Sequence, residues 1–475
     1  MLSLFLLLPL LGIIILNLPI KIKMQSVALL YVLLLSVSQV IVVLFHPDGF
    51  WNRPDVWGRF FELRLYVDNL TLVLLLSIGI VVFIAVLVAW HKITEPKQRL
   101  NFVSLVLISL IGMNGTVLLA DIFSLYVFIE ITSISSFILI AFQRDLNALE
   151  GAFKYIILSS LATVLMLGAI ASLLLFSGDT SFASVSEAVK NNSKNIIVIS
   201  AIGALICGFF IKGGLVPFHA WLPDAHSAAP TAVSVLLSGV QIKTLGAYTI
   251  IRLVTSVFGY TNSVAYILMV VGTISIIFGA LGALGQRDFK RMLAYSSISN
   301  MGYIVLGFGC GTALGMAGAV FHMFNHSVFK SLLFVNAAAV ESRTGTRDMN
   351  KMGGLASRMP LTGLTSVLAS LSAAGVPPLA GFWSKLIIVI ALWMSGYHAY
   401  ATIAVLTSII TLAYLLSMQR RVFFGKIVEE YKEVKEVSFG LVFPELILAA
   451  IIVGVGLFFP LLFNSFIMPI SSFLK

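Results

Sequence analysis

Charge is what this sequence lacks. Asp, Glu, Lys and Arg supply 11% of its 475 residues, against roughly 25% in an average soluble domain. A soluble enzyme of this length needs far more charge to cover its surface, so that class is excluded, and with it disordered, collagenous and coiled-coil chains. Cysteine is nearly missing too. Cys207 and Cys310 both sit inside apolar runs, which leaves neither a disulfide framework nor a Cys-ligated metal site. Any redox chemistry therefore belongs to a partner and not to this chain. What fills the sequence instead is apolar: hydrophobic residues make up 59% and mean hydropathy is +1.04. This is the composition of an integral membrane protein, and the fold expected is all-α and polytopic.

The net charge of +10 does not signal nucleic acid. A nucleic-acid binder gathers its Lys and Arg on one face or stripe, whereas here they lie in short loops between apolar segments. A hydrocarbon core about 30 Å thick takes about 20 apolar residues of helix, and the runs predict fourteen spans. They lie near 2–20, 26–45, 69–90, 100–120, 121–142, 153–176, 195–216, 230–256, 264–285, 292–310, 312–340, 360–395, 400–417 and 440–468. Asp121 alone marks the division at 120/121. Residues 2–20 lack a basic leader and a small-residue cleavage site, so they read as a retained first span.

Loop charge then sets orientation, because Lys and Arg resist translocation. With both termini on the outer side, nineteen basic residues fall in inner loops and seven outside, Arg252 among the seven. Four remain, Lys212, Lys243, Lys330 and Lys385, and all four fall inside predicted helices. Spans four to eight (100–256) and nine to thirteen (264–417) have nearly equal length. An odd number of helices per unit sends the second unit in from the opposite side, which predicts two inverted five-helix repeats. Each repeat carries a helix breaker and a lysine in its fourth member: Lys212, Gly213, Gly214 and Pro217, then Pro377, Pro378, Gly381 and Lys385. Paired interruptions of this kind point to a transport site.

A lysine at the centre of a membrane helix costs about 2.5–3.5 kcal/mol, so four cost on the order of 10 kcal/mol. Snorkelling from a helix end is the alternative for Lys243 and Lys330. The functional reading is an ionisable chain through the bundle interior. Glu130, in LYVFIEITSISSF, reads as the only acidic residue well inside a span. Paired with Lys212 it favours the charged ammonium, and on separation desolvation favours the neutral amine, so geometry becomes proton release. A static ion pair is the competing reading. His322, His326 and Lys330 recur every four residues in HMFNHSVFKSLLF and share one helical face. Histidine takes and gives protons near neutral pH. A zinc site is disfavoured there, because no Cys or acid completes the set and Lys330 repels a cation.

The remaining segments carry less. VPFHAWLPDAHSAAPTAV (216–233) reads as a connection on the inner side whose His219 and His226 could feed protons inward. Residues 46–68 read as a folded outer hairpin or lid, and 418–436 as a short amphipathic docking helix. GFGCG at 307–311 follows no strand and lacks the rest of a nucleotide-loop fingerprint.

In combination, LYVFIEITS, IKGGLVPFHAWLPDAHSAAPTAVS, SGVQIKTLGAY, RMLAYSSISNMGY, FHMFNHSVFKSLLF and PPLAGFWSK resemble the antiporter-like membrane subunits of respiratory complex I, Mrp-type cation/proton antiporters and membrane-bound hydrogenases. The resemblance runs from about residue 65 to 420. It implies fourteen helices, two half-channels in the inverted units and a hydrated central axis of charge. By that resemblance Glu130 would be the regulating carboxylate and Lys212 the gating lysine. Lys243 and Lys330 would form the middle relay with His322 and His326, and Lys385 the terminal lysine of the second half-channel. Lysine at 385, where the M-type subunit usually has glutamate, favours N-type, Mrp D-type or hydrogenase-type relatives. The chain's end soon after span fourteen argues against the L-type subunit with its lateral helix.

The organisation expected is thus 1–99 as an N-terminal three-helix segment with its outer loop, 100–256 and 264–417 as the half-channel repeats, and 418–475 as the inner amphipathic segment and last helix. The function expected is proton translocation within a redox-driven complex, with an Mrp-type Na+(K+)/H+ antiporter subunit as alternative and a non-conducting scaffold as second alternative. The expected partners are other membrane subunits, the lipid bilayer, protons and, as a second candidate ion, Na+. No cofactor, metal or nucleic acid is expected, and the location expected is the cell inner membrane.

Overall fold

The structure is a computed structural model that describes residues 3–18, 24–45 and 65–469. The expected hairpin at 46–68 therefore lies almost wholly outside the described residues. Where described, the chain is helix after helix, because in lipid every backbone N–H and C=O must find its partner within the segment. Nine of the described helices are long and apolar enough to cross a membrane, and four shorter apolar ones accompany them. The protein is all-α and polytopic.

The chain divides into two compact units, 1–214 with 240–261 and 215–239 with 262–475. The first holds α1 (Leu4–Asn17), α2 (Met24–Phe45), α3 (Asn69–Lys92), α4 (Pro96–Leu118), α5 (Ile122–Ile140), α6 (Leu146–Ser177), α7 (Phe182–Asn191) and α8 (Ile196–Lys212). The predicted division at 120/121 is there: α4 stops at Leu118, and Asp121 caps α5 by accepting from Ser124 N at 2.7 Å. The packing of α5 on α4 is close, since a Cβ at Gly115 would strike the Phe128 ring. Small residues allow such contact between membrane helices.

The second unit opens with α9 (Trp221–Ala228). It follows that the segment read as a Pro- and His-rich connection is partly helical. Next, α10 runs from Thr231 to Phe258, crossing from the second unit into the first, and much of its length after Leu236 is wound as π-helix. Then come α11 (Asn262–Leu284), α12 (Phe289–Gly309), α13 (Ala313–Thr344), α14 (Pro360–Ala374), α15 (Ala380–Met394), α16 (His398–Gln419) and α17 (Phe439–Leu457). The backbones of α11 and α12 nearly touch: a Cβ on Gly302 would lie 2.7 Å from Gly272 O. α12 and α13, at 21 and 32 residues, are long enough to span but hold many buried polar groups.

The same local device appears once in each unit. In the first, Asp121 caps α5 and bridges to Ser181, just past the 32-residue α6 and its left-handed Gly178. In the second, Asp288 caps α12 and bridges to Asp348, just past the 32-residue α13 and its left-handed Gly345.

Both predicted interruptions exist. After α8 the chain turns through Gly213–Pro217 into a 3-10 turn and α9; after α14 it turns through Gly375–Leu379 into α15. One expectation fails. Residues 418–436 form no docking helix: α16 runs on to Phe424 as a π turn, and the rest is an irregular strap with a single 3-10 turn at Glu429–Tyr431. Its backbone is pinned instead, with Ile427 pressed on Gly354, whose φ of +64° only glycine adopts readily.

Candidate functional site

In the first unit Lys212 is the last residue of α8 and is fully buried. Its ammonium has three protons and three acceptors: Glu130 Oε1 at 2.9 Å, Ser133 Oγ at 2.8 Å and Ser159 Oγ at 2.6 Å. Glu130 and Ser133 come from adjoining turns of α5 and Ser159 from α6. The Glu130 side chain is 19% exposed while Lys212 is wholly enclosed. The pair predicted from sequence is thus formed, with two hydroxyls the sequence reading did not single out. Withdrawal of Glu130 would leave the cation only neutral acceptors.

Lys243 is also fully buried, which removes the snorkelling alternative for it. It opens a π-helical stretch, Lys243–Tyr248, of α10. Such widened turns concentrate at functional sites. The stretch abuts the break after Lys212, since a Cβ on Gly246 would collide with the Gly213 backbone. Close by in sequence, Gln241 Nε2 donates to Ser109 Oγ at 2.8 Å.

Arg252 corrects the loop count. It is not a loop charge but a buried one, bonded through both terminal nitrogens to Asp68 and also to Thr71 Oγ1 (2.9 Å) and the Tyr248 hydroxyl (3.0 Å). All three guanidinium nitrogens are bonded, so it reads as a structural clasp tying α3 to α10.

In the second unit the predicted face on α13 is real. His322, His326 and Lys330 are all fully buried, and the two imidazoles stack at 6.3 Å with an interplanar angle of 8°. His322 is held at both nitrogens, Nδ1 to Ser384 Oγ (2.9 Å) and Nε2 to Asn300 Oδ1 (3.2 Å). The Lys330 Nζ donates to the Leu293 carbonyl at 2.9 Å. Lys385 sits on α15 just past the second break, with its ammonium 4.6 Å from the centre of the Tyr303 ring and no hydrogen-bond partner among the described residues. Because Ser384 bonds His322 and Tyr303 lies 5.7 Å from the same imidazole, Lys385 and the histidine face belong to one cluster.

His226 is fully buried and stacked on Phe334 at 4.8 Å, whereas His219 is half-buried. Beside α9 run the ion pairs Arg291–Asp224 (2.8 Å) and Lys290–Glu341 (3.1 Å). Among the described residues no three His, Cys, Asp or Glu side chains converge as metal ligands.

Glu130 is not the only acid inside a span. Glu445, on the second turn of α17, is fully buried, with the Thr362 and Thr365 hydroxyls 3.1 and 3.3 Å from its Oε2. The sequence signal was available: a carboxylate six residues into the apolar run 440–468.

A polytopic helical membrane protein whose interior holds lysines, a carboxylate and histidines on broken and π-wound helices is a membrane subunit of the ion-translocating kind by fold and site chemistry. The chain belongs to the NADH:quinone oxidoreductase/Mrp antiporter transmembrane family, which matches residues 120–411. It is 30% identical to the D-type subunit of the Na(+)/H(+) antiporter of Alkalihalophilus pseudofirmus over 80% of this chain and 76% of the relative. It is 33% identical to NAD(P)H-quinone oxidoreductase chain 4 1 of Picosynechococcus sp. over 80% of this chain and 74% of the relative. Among solved structures, a chain of the membrane-bound sulfane sulfur reductase, an archaeal respiratory membrane complex, superposes with a TM-score of 0.88 at 26% identity, over 100% of this chain and 97% of that one.

Proposed function

We propose that this chain translocates protons within a redox-driven membrane complex, through one relay in each unit. The observation that carries the reading is the Lys212 ammonium, fully buried and held by one carboxylate and two hydroxyls. With Glu130 in contact the amine keeps its proton. With Glu130 withdrawn or protonated, an uncompensated cation in a low-dielectric interior releases it. Lys243 takes part in the first unit; His322, His326, Lys330 and Lys385 form the relay of the second, with water joining side chains on separate helices.

The loop charges support an orientation with both termini outside and the basic loops on the cytoplasmic side of the inner membrane. The repeated cap, bridge and break support two copies of one inverted five-helix plan. Kinship with an NAD(P)H-quinone oxidoreductase chain and with a chain of an archaeal respiratory membrane complex favours redox partners. Kinship with a Na(+)/H(+) antiporter component keeps Na+/H+ exchange as the second reading.

Purification of the native complex separates the two. Co-isolated iron–sulfur or hydrogenase subunits mean redox coupling, and small membrane partners alone mean exchange. In proteoliposomes, Lys212→Ala and Glu130→Gln complexes should assemble normally and lose translocation. Normal translocation by both would leave a scaffold.

A further inference from the structure

Glu445 lies apart from both relays. It is fully buried and makes no ion pair among the described residues. Its surroundings are Thr362 and Thr365 of α14, Asn336 of α13, and Glu436 of the strap. Glu436 is half-buried and caps α14, accepting from Leu361 N (2.8 Å) and Thr362 N (3.3 Å). Among the described residues no Lys or His side chain joins them, and Arg343 bonds the Glu436 main-chain carbonyl.

Proton counting makes the cluster informative. The Thr362 hydroxyl has one proton, yet it faces two carboxylates, Glu436 Oε1 at 2.8 Å and Glu445 Oε2 at 3.1 Å. It cannot donate to both. A proton on Glu445 resolves the conflict, because Glu445 O–H then donates to Thr362 Oγ1, which donates to Glu436. Reversing every bond gives the other polarity, with the proton on Glu436. Beside the chain lies Asn336, whose Oδ1 is buried with no hydrogen-bond partner among the described residues, whose Nδ2 donates to Thr365 Oγ1 at 2.9 Å and whose amide also reaches Glu445.

We propose that Glu436, Thr362 and Glu445 form a proton-access path into the second unit from the side of the strap, with Glu445 as the proton store inside the helices. The step is a concerted shift. Glu436 gives a proton to Thr362 Oγ1, Thr362 gives its own to Glu445, and rotation of the hydroxyl resets the path. No charge other than the proton moves. From Glu445 a hydroxyl face of α14 continues through Thr365, Ser366 and Ser370, the last two bonded by Gln419 at 2.8 Å each. It ends near Gly375, against which the Lys385 side chain packs. Thr362 to Gly375 is about 20 Å of helix, so water must complete the path. The proposal rests on the proton-translocation reading and gives the Lys385 cluster its supply.

The test uses the intact complex in proteoliposomes, with Thr362→Val, Thr362→Ser, Glu445→Gln and, as reference, Lys212→Ala. Translocation should fall on the order of a hundredfold in Thr362→Val, the scale of a lost positioned proton donor, and return in Thr362→Ser. Infrared spectra should show a protonated-carboxyl band that Glu445→Gln removes, with deuterium exchange of that band slowed in Thr362→Val and normal in Thr362→Ser. Wild-type rates in Thr362→Val and Glu445→Gln beside a dead Lys212→Ala complex would overturn the access path and leave the relay standing. Absence of the band, or its loss on adding Na+ alone, would overturn it as well, the latter in favour of a cation site. Should Lys212→Ala translocate normally, the relay reading fails, and the infrared exchange still decides the path.

Discussion

Replacing Glu130 by Gln keeps the shape of the side chain and strips the Lys212 ammonium of its carboxylate. At 2.9 Å the pair attracts by about 6 kcal/mol at an effective dielectric of about 20, most of it offset by the desolvation of two ions. Removing one partner of a buried pair typically costs about 3–5 kcal/mol, because the other charge stays buried alone. Glu130 keeps 19% of its side chain exposed, which screens the pair and places the expectation near the lower end, about 3 kcal/mol. Lys212→Met should cost a similar amount. The double variant leaves no orphaned charge, so its loss should fall short of the sum by about 2–3 kcal/mol. Denaturant unfolding of the purified complex in mild detergent, followed by protease susceptibility of this subunit, measures all four corners of the cycle. Losses that add to within about 0.5 kcal/mol would refute the pair as an energetic unit.

Three further outcomes follow from packing and charge. Gly246→Ala drives a methyl into the Gly213 backbone and should destabilise by about 1–3 kcal/mol, read in the same unfolding assay. Asp68→Asn leaves Arg252 buried without its carboxylate and should cost about 3–5 kcal/mol; a loss below about 1 kcal/mol, the scale of an exposed pair, would mean that the clasp is not structural. Tyr303→Leu removes the ring over Lys385, an interaction worth up to about 2 kcal/mol when desolvated. It should slow proteoliposome proton uptake more than about tenfold, the rate equivalent of about 1.4 kcal/mol, with assembly unchanged.

The helices were legible because lipid leaves a spanning backbone few options, so run length alone located most of the long helices closely. Even Asp121 was a sufficient sign of the turn between α4 and α5. The lysines stand out because a charge in such a run is costly, and the full burial of Lys243 and Lys330 removes snorkelling as its explanation. The four-residue spacing of His322, His326 and Lys330 carried over directly into a shared face. Ser133, Ser159, Ser384 and Asn300 were not legible, since hydroxyls and amides are common in membrane helices and often bond their own backbone, as Ser133 does to Ile129 O. Only tertiary packing shows which also face a lysine or histidine. Counting basic residues by loop places Arg252 outside, because it cannot detect a buried partner 184 positions away. Glu445 lies so near the start of a long apolar run that position alone does not separate it from a helix-end charge. The π winding of α10 leaves no mark in hydropathy.

The central claim, that buried lysine in this chain gives up its proton, is tested most directly by Lys212→Arg. Arginine keeps the positive charge and can still bond Glu130, Ser133 and Ser159, but it does not deprotonate in proteins. Proton flux into proteoliposomes carrying the intact complex should vanish in Lys212→Arg while assembly and stability persist. Flux at the wild-type rate in that variant would contradict the account.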